Sequence, residues 1–283
     1  MIRTSGFISA IFSLGCVAVI LLTLIVGSLP VFFQNGTALF SLQWEPYAGT
    51  YGILPMFYGT VVVTLIALCL AVPLGLMSAV CLSEIAPASL RVPLKSALEI
   101  LAGIPSIIYG LIGVAFLSVW IGDIFSLQSG RTVLAAGILL AIMILPLIIT
   151  LCDDALQAVP RRYRETAAGL GLYRYEVFKD VLWPIVKPDM VAAILLALGR
   201  ALGETMAVML VIGGLDRIPD PAFNILSPAQ TVTSKLGREI AEAPFGSVHF
   251  SAMIAMSLLL VILCIGLSLA AQIFATREAR LAE

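Results

Sequence analysis

The sequence predicts an all-α integral membrane protein with six transmembrane helices, and three observations carry that prediction. Of its 283 residues, 60% are hydrophobic and 12% are charged, whereas a soluble domain carries about 25% charged residues. The charges leave long empty stretches: Arg3 to Glu45, Glu45 to Glu84, Glu99 to Asp123, Arg131 to Asp153, and Glu242 to Arg277. Each can hold a helix of about 20 residues, enough to cross a hydrocarbon core of about 30 Å. The runs also lack the alternation that strands of about ten residues in a barrel would show. Lipid offers backbone no hydrogen-bond partner, so such runs form helices.

A sixth apolar run, Met190 to Gly214, is interrupted only by Arg200 and Glu204. The predicted spans are 7–29, 56–82, 98–121, 132–152, 189–214 and 250–274 of a single transmembrane domain covering 1–283. The first is too long for a secretory h-region of about 7–15 residues and lacks a convincing small-x-small site after it, so it reads as an uncleaved helix. Pro73, Pro105 and Pro146 fall inside the second, third and fourth predicted helices. Each removes a backbone bond and kinks its helix, either as a packing detail or around a pathway. The five cysteines (Cys16, Cys69, Cys81, Cys152, Cys264) lie in or beside spans without CxxC spacing and read as small apolar packers.

Orientation follows from Lys and Arg in the loops. One set of loops holds Arg3, Arg91, Lys95, Arg161, Arg162, Arg164, Arg174, Lys179, Lys187, Arg277 and Arg280, eleven in all; the other holds Arg131, Arg217, Lys235 and Arg238. Both termini are therefore expected in the cytoplasm. The external stretch 30–55 is rich in aromatic residues and glycine, and 215–249 carries a short polar helix over Thr231–Ala243. The longest cytoplasmic stretch is 153–188. A net charge of −1 points to no nucleic-acid partner.

That cytoplasmic stretch forms an elbow. Glu165 to Leu170 can form a short helix ended by Gly171, because glycine tolerates left-handed backbone. A second helix, Tyr173 to Leu182, carries Val177, Phe178, Val181 and Leu182 as an apolar stripe, and Pro184 is expected to break the chain before the fifth span. Glu165, Ala167, Gly171 and Pro184 sit at the spacing of the Glu-Ala-Ala…Gly…Ile-x-Leu-Pro loop, with Thr166, Val181 and Trp183 departing conservatively. The elbow therefore resembles the coupling segment of ABC importer permeases. The resemblance implies a MetI-like fold and an ATPase subunit docked on the elbow, with Glu165 and Gly171 giving the contact and the turn. The chain itself has no Gly-x-x-x-x-Gly-Lys-Ser/Thr loop, so ATP and Mg belong to that partner.

In the fifth span, Arg200 and Glu204 are four residues apart, so a continuous helix would put them on one face as a pair. A charge at this depth costs roughly 2.5–3.5 kcal/mol. Gly199 and Gly203 give the same face a small-xxx-small pattern that permits close helix approach. Two readings stand. The pair is a neutralised lock in the bundle, or Arg200 lines an anion path that Glu204 tempers so the anion can leave. Arginine suits tetrahedral oxyanions through its planar donor fork.

The stretch Leu198–Val208, reading Leu-Gly-Arg-Ala-Leu-Gly-Glu-Thr-Met-Ala-Val, is similar to the signature of phosphate permeases of the PstC type. So are Gly103–Gly110, Pro228–Ser234, Glu239–Ala243 and Gly246–Phe250, and Met206-Ala207-Val208 stands where the sister type, PstA, has Ala-Pro-Leu. The resemblance covers the chain after about residue 55. It implies a PstA-like second permease and two PstB-like ATPases, with a PstS-like phosphate-binding protein above and a PhoU-like regulator linked to the complex. It puts Arg200, Glu204 and Thr205 on the path, with Gly199, Gly203, Pro105 and Ser106 packed near it, Glu165, Ala167, Gly171 and Pro184 at the ATPase, and 30–55 and 215–249 at the binding protein. Permeases for sulfate, molybdate or phosphonate share the elbow and stand as alternatives, as does a scaffold for phosphate-status signalling. An intramembrane enzyme would need a Ser–His pair, an aspartyl pair or a metal cluster in the spans, where only Arg200 and Glu204 are charged. His249 reads as interfacial. Asp153 and Asp154 read as solvated or paired with the basic elbow, and Glu99 reads as a partner for Lys95.

Overall fold

The computed structural model describes residues 2–281 and builds them into helices joined by short turns, with one two-stranded hairpin. Helix α1 (Ile2–Asn35) leads through 3-10 turns to β1 (Trp44–Glu45) and β2 (Thr50–Tyr51), which pair antiparallel with Trp44 opposite Tyr51. Next come α2 (Leu54–Val80), with a π turn over Cys81–Ile85, and α3 (Ala88–Gly103). The third span is α4 (Ser106–Ile112) and α5 (Ser118–Ile124), joined by a π turn, and the fourth is α6 (Val133–Ala158). The elbow comprises α7 (Arg161–Gly169) and α8 (Arg174–Glu176), and a π turn over Val177–Leu182 runs into α9 (Trp183–Gly203). After α10 (Met206–Val211) and α11 (Val232–Glu239), α12 (Val248–Leu281) ends the described chain. Six helical segments are long and apolar enough to cross a membrane: Ser9–Gln34, Leu54–Ile85, Ser106–Ile124, Val133–Ala158, Arg174–Gly203 and Val248–Leu269.

Helix α6 is the axis of the bundle. Its most apolar window is 67% buried, against 0% for the first span, which lies along α12 with its other side open to lipid. Helix α2 packs against α6 through a stripe of small residues, Ala67, Ala71, Gly75 and Ala79, at four-residue spacing. A Cβ at Gly75 would lie 2.7 Å from Ile148 Cγ2, so the close approach depends on glycine. The remaining wall of this core comes from Met190, Ala193, Ala197 and Ala201 of α9. A second, external core joins Val31, Leu39, Trp44, Tyr51 and Met56 to Met253 and Met256 of α12.

Several sequence-based expectations change here. The third span starts at Ser106, not 98, because Ile104 and Pro105 leave the helix; Ile104 is extended at φ −66, ψ 131. Pro105 therefore separates an amphipathic α3 from the span and does not kink it. Pro73 and Pro146 do lie inside α2 and α6. Pro184 does not break the chain either: helical backbone is continuous from Arg174 to Gly203, with a π turn over Val177–Leu182 just before the proline. The polar helix of the second external stretch is shorter than expected, Val232–Glu239, and its first turn is buried.

Asp153 is fully buried at the cytoplasmic end of α6. It accepts from Arg91 Nη2 at 3.0 Å, from Lys95 Nζ at 3.5 Å and from Gln157 Nε2. Its cationic partners thus sit on α3, not on the elbow, and Lys95 reaches Asp153 and Asp154 while Glu99 forms no ion pair among the described residues. The short bond to Asp154 holds the Lys95 ammonium above its ordinary range. Replacing Asp153 with alanine leaves two cations without their shared anion. The expected loss is about 3 kcal/mol, the lower end for breaking a buried pair because both cations are partly hydrated. Thermal unfolding in detergent measures it, and Asp154→Ala, on an exposed side chain, is expected to cost far less.

Candidate functional site

The fifth span is broken where its charges lie. Helix α9 stops at Gly203, Glu204 takes an extended backbone (φ −69, ψ 124), and α10 starts only at Met206. Arg200 and Glu204 therefore do not share one helix face, and the expected pair does not form. The Glu204 carboxylate turns to the next helix, accepting from the Ala207 amide at 3.2 Å. It thereby satisfies one of the donors that open α10. Arg200 is exposed, and no carboxylate among the described residues lies within salt-bridge distance of it.

The remaining groups at the break come from α11. After α10 the chain turns at Gly213 and Gly214 (φ +94 and +82), runs out to Pro219, and returns beside Gly213, where Ala229 pairs with it. Gln230 to Ser234 then descend into the bundle and are buried. The Thr233 hydroxyl donates to the Glu204 carbonyl at 2.7 Å. The Val232 amide donates to Thr60 Oγ1 of α2 at 3.0 Å, and a Cβ at Gly59 would overlap the Gln230 carbonyl. Thr231 caps α11 by accepting from Ser234 N at 3.2 Å. Thr205 Oγ1 donates to the Gly203 carbonyl at 3.3 Å. The second external stretch is thus a re-entrant hairpin that hydrates, with protein hydroxyls, a break lipid could not.

Gly199 and Gly203, expected to allow close packing, meet no atom within 4 Å of an added Cβ, so this face is open within the chain. It borders a groove of about 630 Å³ lined by Ala192, Leu195, Gly199 and Arg200 of α9, Leu147 of α6 and Ser268 of α12. Pro105 and Ser106 stand at the head of α4, away from helix interiors. The side chain that sequence reasoning missed is Tyr109, which lies within the electrostatic reach of Arg200 and donates to the Leu101 carbonyl at 2.9 Å across the α3–α4 break. The quoted stretch Gly103–Gly110 contained it, but nothing in the sequence placed that stretch beside α9.

The elbow forms as a turn of two helices. Gly171 adopts φ +81, a left-handed conformation that suits glycine. Ala167 is buried, Glu165 and Pro184 are exposed, and Arg164 clamps the elbow by donating to Glu84 Oε1 at 2.8 Å and to the Leu156 and Val159 carbonyls. Leu170, Tyr173 and Tyr175 are 77%, 79% and 69% exposed, an apolar tip over which only Lys179 reaches among the described residues, its Nζ 5.9 Å from the Tyr175 ring centre. The stripe of Val177 and Leu182 is buried in the main core, as its spacing predicted.

At the external end, Lys235 is 1% exposed and lies 5.0 Å above the Trp44 ring. Its ammonium bonds Asp216 Oδ2 at 2.5 Å and Glu239, and Trp44 Nε1 donates to Glu239 at 3.2 Å. His249 stands 3.4 Å from Glu239 and stacks on Tyr51, so it belongs to a network that ties the hairpin to α11 and α12. Burial pushes the Asp216 carboxyl up against the pull of Lys235.

A six-span bundle with a charged, broken fifth helix and a helical elbow defines a membrane transport subunit. The family model for the inner membrane component of binding-protein-dependent transport systems matches residues 71–280, and the chain belongs to that family, as a multi-pass inner-membrane protein. Relatives include the phosphate transport system permease protein PstC of Mesorhizobium japonicum, 37% identical over 79% of this chain and 73% of that one. PstC of Pasteurella multocida is 37% identical over 89% and 83%, and the probable ABC transporter permease YqgH of Bacillus subtilis 34% over 84% and 78%. The fold matches a chain of the inward-facing MetNI methionine ABC transporter (TM-score 0.59, 20% identity, 83% of this chain and 99% of that one). It also matches a chain of a bacterial alginate ABC transporter (TM-score 0.56, 13% identity, 99% and 96%).

Thr233→Val removes the donor to the Glu204 carbonyl inside the membrane and is expected to cost about 1–2 kcal/mol. Thr233→Ser keeps the hydroxyl and most of the stability. Thermal unfolding of the two purified variants separates the hydrogen bond from the loss of a methyl group.

Proposed function

We propose that this chain forms half of the channel of an ATP-driven importer of inorganic phosphate. One observation carries the reading: Arg200 is an intramembrane guanidinium on an open face, without a carboxylate partner among the described residues, one turn before a break in the span. A cation at that depth is costly unless it serves a path or pairs with something outside the chain. Two relatives at 37% identity carry the name of phosphate permeases, which supports phosphate over other oxyanions.

In this reading Arg200 offers the anion its planar donors, and Thr205, with its hydroxyl at the break, continues the path outward. Glu204 acts mainly through the backbone, since its carboxylate is engaged by Ala207. Gly199 and Gly203 leave room for a PstA-like second permease across the path, with Pro105 and Ser106 setting the approach of α4. The exposed elbow tip, with Glu165, Ala167 and Gly171 before it and Pro184 behind it, is the surface for PstB-like ATPases, which hold ATP and Mg. A PstS-like binding protein meets the hairpin and the re-entrant segment from outside, and a PhoU-like regulator reads the complex from the cytoplasm.

In proteoliposomes containing the complete importer, Arg200→Gln is expected to lower uptake of radiolabelled phosphate about tenfold or more, the loss of a path cation worth at least ~1.4 kcal/mol. Glu204→Gln keeps an acceptor for Ala207 and is expected to be milder than Glu204→Ala. Normal uptake by Arg200→Gln would sink the path reading, and equal competition by sulfate would sink the choice of phosphate.

A further inference from the structure

We infer that the cavity at the cytoplasmic junction of α2, α3, α6 and α7 is a binding site for a small tetrahedral oxyanion of phosphate's class, built from Arg91, Arg161 and Arg164. The inference does not depend on the path reading of Arg200 and takes from it only the choice of phosphate as probe.

Four element ends meet at this junction. The π turn after α2 brings Ser83, the first turn of α3 brings Arg91, the last turn of α6 brings Gln157, and α7 brings Arg161 and Arg164. Arg161 and Arg164 are three residues apart on one helix, so they share a face. With Val159, these side chains line a cavity of about 200 Å³. Pockets for drug-sized ligands begin at about 300 Å³, so the space suits a small ion with its water and not a nucleotide. Five of its six lining residues are polar or charged, three of them arginines, and none is a carboxylate.

The carboxylates of this end are engaged by other donors. Glu84 accepts from Arg164 Nη2 at 2.8 Å and from Ser83 Oγ at 3.3 Å. Asp153 accepts from Arg91, Lys95 and Gln157, and Lys95 also holds Asp154. Arg164 donates in addition to the Leu156 and Val159 carbonyls, which the end of α6 leaves without helical partners. A purely structural clamp accounts for these bonds. They take two of the five N–H groups of Arg91 and three of those of Arg164, and each side chain remains 27% open.

The clamp does not account for Arg161. It is exposed on the cavity lining, and no carboxylate among the described residues lies within salt-bridge distance of it. Arg91, Lys95, Arg161 and Arg164 stand against Glu84, Asp153 and Asp154, and adding the neighbours Arg162 and Glu165 leaves that surplus of one cation unchanged. A tetrahedral oxyanion matches planar guanidinium forks presented from two elements, α3 and α7. Held there, it fastens the elbow to α3 across the cavity. The same oxygens reach the junction as free phosphate from the cytoplasm or as a lipid headgroup from the inner leaflet.

The test uses the purified full chain carrying Arg200→Gln, which removes the path cation, in phosphatidylcholine nanodiscs titrated with radiolabelled inorganic phosphate at low salt. Saturable binding of one ion per chain is expected. Adding Arg161→Gln weakens it about tenfold, the loss of a charge-assisted bond. Arg161→Lys weakens it less, and Arg162→Gln, on an exposed neighbour outside the cavity lining, leaves it unchanged. Arg161→Gln breaks no bond within the described chain, so its unfolding temperature without phosphate stays that of the parent. Nanodiscs containing phosphatidylglycerol separate the two sources: unchanged affinity assigns the site to free phosphate, and competitive loss assigns it to the headgroup. Absence of saturable binding in the Arg200→Gln chain, or equal losses from Arg161→Gln and Arg162→Gln, overturns the site. Uptake by Arg200→Gln in the complete importer decides the path reading separately.

Discussion

A broken helix inside a membrane needs hydrogen-bond partners that lipid cannot give, and this requirement organises the molecule. The interruption between Gly203 and Met206 frees a carbonyl and several amides. The Glu204 carboxylate takes one amide, and Thr233 takes the Glu204 carbonyl. For Thr233 to be there, an external segment must fold back into the bundle. For that segment to fold back, α2 must present glycine and a hydroxyl, and it does so at Gly59 and Thr60. The buried Lys235 and its two carboxylates then anchor the returning helix at the outer surface.

The membrane architecture was legible because it depends on sums. Charge-free length and the absence of alternation identify six spans without knowledge of any contact. The elbow was legible for a different reason: Gly171 and the stripe of Val177 and Leu182 are local, and local periodicity determines local structure. The break at Glu204–Thr205 was not legible. Leu-Gly-Glu-Thr-Met-Ala carries no proline, and intrinsic propensity favours continuing the helix. The helix stops because Thr233, twenty-nine positions away, offers its backbone a better arrangement. The same kind of distance hid Asp153 from its partners on α3 and Tyr109 from Arg200. Pro105 and Pro184 show the converse, since the first stands between two helices and the second is carried within continuous helical backbone after a π turn.

The charged clusters divide the molecule by depth. At the cytoplasmic end, Asp153 gathers Arg91 and Lys95, and Glu84 holds Arg164, so these three cations are paired. At the outer end, the carboxylates of Asp216 and Glu239 are largely spent on Lys235. Arg200 stands between these two levels, and no carboxylate among the described residues lies within salt-bridge distance of it.

Helix α2 grips something at each end. Near its start, Gly59 and Thr60 hold the re-entrant segment, and just past its last helical turn, Glu84 holds Arg164 of the elbow. The two grips are separated by about 36 Å at 1.5 Å per residue. A helix attached in this way is a strut: it ties the cytoplasmic elbow and the threonines beside Glu204, within the membrane, to one continuous element, so the two share a single mechanical support.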